Sequence, residues 1–148
     1  MKRVCCFAGH SKLNVTDEIL KSLTEKIENL IQNENVTEFR VGNYGDFDQA
    51  SAQVVRELKK KYNITLILVI PYLSSKINNN KEYYEKEFDE ILLAQITPNT
   101  PKKLGIIKCN EYMVNTSDFL IYYVKNHCTG ADRTLAYAQK KKLVTVSV

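Results

Sequence analysis

Ile64-Thr65-Leu66-Ile67-Leu68-Val69-Ile70-Pro71 is the stretch on which the fold turns. It is almost continuously apolar and rich in β-branched side chains, and Pro71 ends it. A run of this kind is expected of a central parallel strand covered on both faces. Its apolar part, residues 66–71, is the longest in the chain and far short of the ~20 residues a membrane span needs.

On the N-terminal side, Asp46-Phe47-Asp48-Gln49 resembles a capping box, with an acid at the cap and Gln three later. Phe47, Ala50, Val54, Val55, Leu58 and Tyr62 then define the inner face of a helix. Residues 36–42 precede it as a strand. Before that, Asn14 and Thr16 are good helix caps, with Asp17 and Glu18 in the first turn. Ile19, Leu20, Leu23, Ile27, Leu30 and Ile31 follow a helical period that stops near Asn33 or Asn35. Residues 3–8 read as a first buried strand.

On the C-terminal side, residues 72–87 are the least regular. Ser74-Ser75 and Asn78-Asn79-Asn80 read as an exposed loop, with a short helix at 82–87. Residues 89–95 read as a short strand. Thr100-Pro101 reads as a cap followed by proline at the first helical position, opening a helix to about Asn115. Residues 118–124 form a strand, 130–142 a helix and 143–148 a last strand. Strands alternating with helices imply an α/β domain over residues 1–148, with a mostly parallel sheet and helices on both faces. The expected architecture is Rossmann-like and doubly wound, without internal repeats or linkers.

Composition agrees. The 148 residues are 44% hydrophobic and 26% charged, ordinary for one soluble domain. The apolar residues 4–8 run straight into Gly9-His10-Ser11-Lys12, which leaves no hydrophobic region for a secretory signal. A cytoplasmic protein with no membrane partner is expected. The net charge is +4, and basic residues concentrate at 59–61 and 140–142. Both triplets end predicted helices, where cations complement the dipole. Solvated helix ends explain them more simply than a nucleic-acid patch does. Cys5 and Cys6 point to opposite faces of a strand, no CxxC pair exists, and reduced buried thiols are expected. His10, His127, Cys6 and Cys128 match no zinc spacing, so no metal and no required cofactor are expected.

In a doubly wound sheet, ligands bind beyond the carboxyl ends of the strands. Gly9-His10, residues 42–48, Pro71-Tyr72 and residues 126–130 all follow strands, so four of the five glycines and both histidines converge on that rim. A helix opened by Thr129-Gly130 offers free N–H groups to an anion or phosphate. Tyr44 and Tyr72 are suited to stacking a base, and Asp46 or Asp48 to binding ribose hydroxyls. The simpler reading has Asp46 capping its helix and the glycines making turns. Asn110 shares a helical face with Ile106 and Met113, where it is either a satisfied buried amide or a ligand contact. Met113 reads as core. His10 is a candidate general acid or base, but spacing supplies it no partner.

These segments together resemble the SLOG superfamily, which groups the DNA-processing protein A with the Lonely Guy cytokinin-activating enzymes. Cys5-Cys6-Phe7-Ala8-Gly9-His10 is similar to its strand-then-Gly-His-Arg opening. Val41-Gly42-Asn43-Tyr44-Gly45-Asp46-Phe47-Asp48 is similar to its second glycine loop. The run 110–119 resembles its Asn-x-x-Met-(Ile/Val)-x-x-Ser-Asp signature. Cys128-Thr129-Gly130, then Thr134 and Tyr137-Ala138, resemble its Ser-Gly-Gly-Thr element. Small stand-alone YpsA-type proteins of bacteria and phages are the most similar branch.

The resemblance implies a Rossmann-like fold with a pocket for a nucleotide or nucleotide derivative. Gly9, His10, Gly42, Asn43, Gly45, Asp48, Asn110, Ser117, Thr129 and Gly130 would line or shape it. Ser11 replaces the usual arginine, Thr129 and Ala131 replace a Gly and a Thr, and Cys109 replaces an arginine before the signature Asn. A pocket poor in cations is therefore expected. The Lonely Guy Pro-Gly-Gly-x-Gly-Thr-x-x-Glu motif is missing, and Asp132 and Arg133 stand at the matching helix start. The expected function is binding of a nucleotide-derived ligand as a sensor or sequestering protein. The alternatives are a hydrolase of an N-glycosidic or phosphate bond using His10, Asp48 or Asp132, and a DNA-associated protein. A homo-oligomer is a further expectation, with Tyr83-Tyr84 as a contact.

Overall fold

The structure, a computed structural model, describes residues 2–126 and 129–148. His127 and Cys128, and with them part of the histidine–cysteine quartet weighed as a metal set, lie outside the described residues. The elements run β1 (Arg3–Gly9), α1 (Asp17–Glu34), β2 (Val36–Val41), α2 (Asp46–Lys59), β3 (Thr65–Ile70), α3 (Ser75–Asn79), α4 (Lys81–Glu87) and β4 (Glu90–Leu93). A 3-10 turn (Lys102–Leu104) leads into α5 (Gly105–Asn115), β5 (Phe119–Tyr123), α6 (Gly130–Lys140) and β6 (Val144–Ser147). The architecture is Rossmann-like.

The six strands form one sheet in the order β4-β3-β2-β1-β5-β6, and every pairing is parallel. The chain walks outward from β1 to β4, then returns to the other side of β1. That reversal opens a crevice between the carboxyl ends of β1 and β5, where a doubly wound sheet binds ligands. The decisive strand β3 lies one place in from the edge, beside β4, rather than at the centre of the sheet.

Strand alternation sorts the core into two layers. Cys5 and Phe7 of β1 and Leu66, Leu68 and Ile70 of β3 pack against α1, α2 and the α3–α4 pair. Cys6 and Ala8 of β1 and Ile67 and Val69 of β3 pack against α5 and α6. The described cysteines, Cys5, Cys6 and Cys109, are free and buried. Burial pushes the Cys6 and Cys109 thiols up to about 12, so they stay protonated core groups. Among the described residues, no helix is long and apolar enough to cross a membrane.

Helix ends follow local chemistry. Thr16 caps α1 by accepting the Ile19 N–H at 3.2 Å, and Asn35 closes it in the left-handed region at φ 55°. The 74–80 stretch is helical rather than looped. Ser74 caps α3 from the Ile77 N–H, and Ile77 and Tyr84 are buried anchors that hold the two short helices on the sheet. Thr100 caps nothing. Its hydroxyl pairs with that of Thr97 at 2.6 Å, and Pro101 opens the 3-10 turn instead.

Asp46 is not the cap of α2 either. Gly45 holds that place without a side-chain bond, and Asp46 Oδ2 instead accepts the Leu13 N–H at 2.8 Å. A Cβ on Gly45 would lie 2.3 Å from Ser11 Cα, so only glycine lets the two loops touch.

Gly9 is held to glycine just as strictly. A Cβ there would fall 2.2 Å from Cγ of the buried Phe47 ring, whereas a Cβ on Gly130 would meet nothing within 4 Å. Gly9→Ala is expected to lower stability by about 1–3 kcal/mol through overpacking. Gly130→Ala should leave it within about 1 kcal/mol of wild type or raise it. Equal urea midpoints for wild type and Gly9→Ala would contradict this account.

Candidate functional site

The crevice between β1 and β5 is a cleft of about 470 Å³. That is inside the range of small-molecule sites. Gly9, His10, Ser11 and Lys12 supply one wall from the loop after β1. Thr129, Gly130 and Ala131 supply another from the start of α6. Ile106 and Asn110 of α5 and the α2 region, through Tyr44 and Asp48, complete it.

Two features bring positive charge to the cleft. Thr129 Oγ1 caps α6 by accepting the Asp132 N–H at 3.1 Å, and the first residues of that helix face the cleft. A helix N-terminus carries roughly half a positive charge there. Lys12, from the loop after β1, also lines the cleft. The arginine that Ser11 replaces is thus followed, one position later, by a cation in the cleft. Among the described residues Lys12 is the one lysine or arginine in the lining, in keeping with the expected cation-poor pocket.

His10 has a structural task. Its Nε2 accepts the Lys125 N–H at 2.8 Å, which ties the loop after β1 to the loop after β5. With Nε2 acting as acceptor, the ring proton sits on Nδ1. Nε2 is therefore occupied and is no free base.

Asp48 forms the floor. Its Oδ2 accepts the Tyr44 N–H at 3.2 Å. Burial pushes the carboxyl up from 3.8 to about 6, with the Tyr44 bond pulling weakly the other way. Burial also raises the Tyr44 phenol, which stays a donor.

A second cleft, of about 530 Å³, lies beside the first between α2 and the α3–α4 pair. Asp48 lines both. Gly42 and Asn43 face this second cleft, and Asn43 Nδ2 donates to the Tyr84 hydroxyl at 3.2 Å.

The sequence-predicted residues divide accordingly. Gly9, His10, Tyr44, Asp48, Asn110, Thr129 and Gly130 meet at the switch-point cleft. Gly45 is half-buried in the loop contact with Ser11 and lines neither cleft. Tyr72 stands outside both, 40% exposed, with Lys102 Nζ 5.6 Å from its ring centroid. The fifth glycine, Gly105, packs under that ring. Ser117 precedes β5, at the opposite end of that strand from the rim, beside the Cys6 thiol. Asp132 takes part in the α6 cap through its N–H and is not among the residues lining the cleft. Lys12, Asn126 and Thr134 line it without having been singled out. Lys12 was detectable as a cation directly after the Gly-His-Ser turn. Among the described residues, no group of three His, Cys, Asp or Glu is placed to hold a metal.

A family model, the YspA SLOG family, matches residues 5–145. The chain belongs to that family. No curated protein sequence matches it. Among solved structures, DNA processing protein A (DprA) from Streptococcus pneumoniae is similar, with a TM-score of 0.69 at 15% identity. The likeness covers 98% of this chain and 50% of that one, so the chain spans half the length of DprA. At that identity the shared property is the fold. In this YspA SLOG chain, β1, the turn into α2 and the start of α6 supply the switch-point cleft.

Asp48 gives the cleft a pH signature. The folded chain holds this proton more tightly than the unfolded one. The group therefore adds stability below pH 4 and loses it as pH rises through about 6. Asp48→Asn removes that dependence. Relative to wild type, the variant should gain about 1–3 kcal/mol between pH 4 and pH 7.5 in urea unfolding. Parallel stability–pH curves would contradict the assignment.

Proposed function

We propose that the switch-point cleft holds a nucleotide or nucleotide-derived ligand, and that the protein acts as its sensor or sequestering protein. The observation that carries this is the start of α6 opening into a cleft of about 470 Å³ that Lys12 also lines. A helix N-terminus and a lysine together suit a phosphate group. Asn110, the Tyr44 hydroxyl and Asp48 supply the polar contacts a ribose or base needs. Membership in the YspA SLOG family agrees with a nucleotide-related role.

Hydrolysis of an N-glycosidic or phosphate bond is the second reading. Of its three candidate residues, Asp48 lines the cleft with one oxygen unengaged among the described residues, and its raised pKa suits proton transfer. DNA association is a third, suggested by the name of the similar DprA structure.

Thermal unfolding with millimolar 5′-mononucleotides and inorganic phosphate tests the proposal. Binding to the folded state raises the melting temperature. Lys12→Ala should weaken nucleotide binding about tenfold or more, as loss of a charged hydrogen bond does. No shift with any nucleotide would overturn the proposal. Release of base or phosphate that vanishes in Asp48→Asn would move the assignment to the hydrolase. Salt-dependent DNA binding lost on neutralising Lys140, Lys141 and Lys142 would move it to DNA.

A further inference from the structure

The second cleft has no role in the reading above, yet its lining combines amides, an aromatic ring and a lysine. Gln49 and Gln53 project from α2 one turn apart, on one helical face. Neither side-chain amide has a hydrogen-bond partner among the described residues. The Asn43 amide commits its nitrogen to the Tyr84 hydroxyl, and its oxygen has no hydrogen bond among the described residues. Tyr83 is 56% exposed and presents its ring at this cleft's lining. It is held edge-on by Tyr84, with ring centroids 5.1 Å apart. Lys76 lines the same space and forms no ion pair among the described residues, whereas the nearby Arg56 is committed to Glu87 at 3.0 Å.

Each of these groups has a ready chemical counterpart. A braced aromatic face stacks a planar heterocycle, and side-chain amides read the donor–acceptor edge of a base. A lysine neutralises a phosphate. A cleft of about 530 Å³ accommodates all three parts of a nucleotide. It adjoins the switch-point cleft at Asp48, which lines both. At the junction Gly42 carries no side chain, and a Cβ there would come within 3.1 Å of Asp48 Oδ2.

We infer that the cleft between α2 and α4 is a second nucleoside subsite, and that the ligand is a dinucleotide whose two nucleoside halves lie on either side of Asp48. This rests on reading the switch-point cleft as a nucleotide site. One half sits with its phosphate at the start of α6 and Lys12. The other stacks on Tyr83 and presents its base edge to Gln49 and Gln53.

Titration calorimetry with the four 5′-ribonucleoside monophosphates and the symmetric dinucleoside diphosphates made from them separates the two claims. The best dinucleoside diphosphate should bind at least tenfold tighter than its monophosphate, since the second half adds contacts without a second association cost. Tyr83→Ala should abolish that advantage, a loss of about tenfold or more, and leave the monophosphate binding that depends on Lys12 unchanged. Gln53→Ala, an exposed substitution that spares the Tyr83–Tyr84 packing, should reduce the same advantage. Monophosphate binding with no dinucleotide advantage would overturn the second subsite and leave the mononucleotide reading standing. Equal weakening of both ligands by the two variants would overturn the second subsite as well. If no monophosphate and no dinucleotide binds, both readings fall together.

Discussion

The ring of Phe47 occupies the space where a side chain on residue 9 would be. That exchange joins the end of β1 to the start of α2, and much of the rim follows from it. The ring meets Phe7 edge-on at 6.4 Å and stacks on Tyr123 of β5 at the same distance. One buried aromatic thus fixes the two strands that flank the switch point and the helix that floors it. The backbone then closes the joint. The Asp46 N–H reaches Ser11 O at 2.8 Å and the Phe47 N–H reaches His10 O at 3.4 Å. The first N–H groups of α2 are taken by the loop after β1, so α2 offers an anion little at its start. The start of α6, which faces the cleft, is left to do so.

The charge arrangement of the cleft follows from the same joint. With Asp46 turned to the Leu13 N–H, Asp48 is the carboxylate left facing the cleft from α2. Its own hydrogen bond, to Tyr44, is single and not strongly ionic. Desolvation therefore dominates and keeps the group close to half-protonated near pH 6. Glu38 meets the opposite outcome. That residue is also buried, but Lys2 and Arg40 lie at 3.0 and 2.6 Å and hold its carboxyl below the ordinary range against the burial. One buried acid is ion-paired into the fold, and the other keeps free bonding capacity at a cleft.

Fold class was legible because alternation and period are local properties. Residues 64–70 could only be buried between two layers, and the 3.6-residue period of α1 and α2 named their inner faces. Helix starts were less legible, because a cap is decided by what else competes for the same oxygen. Asp46 has the right type and spacing for a cap, yet the Leu13 N–H, 33 residues away in sequence, claims it. The two short helices after β3 were hidden by their serines and asparagines, since the anchors Ile77 and Tyr84 are too sparse to show a period. The rim was readable from glycine positions, but which rim residue enters which cleft was not. Asn43 and Tyr44 are adjacent in sequence and face different cavities, and Ser117 sits at the wrong end of its strand.

Asp48 is a wall of two cavities and carries a proton that is only partly bound at neutral pH. An occupant of either cavity that accepts a hydrogen bond from this carboxyl favours the protonated form, and one that donates to it or brings a cation favours the ionised form. Occupancy is therefore coupled to proton exchange with the solvent, and the heat of binding takes on the ionisation heat of the buffer. The same proton links the cavities to each other. Filling one would reset the acidity felt in the other, and so would couple the two cavities without any movement of the backbone.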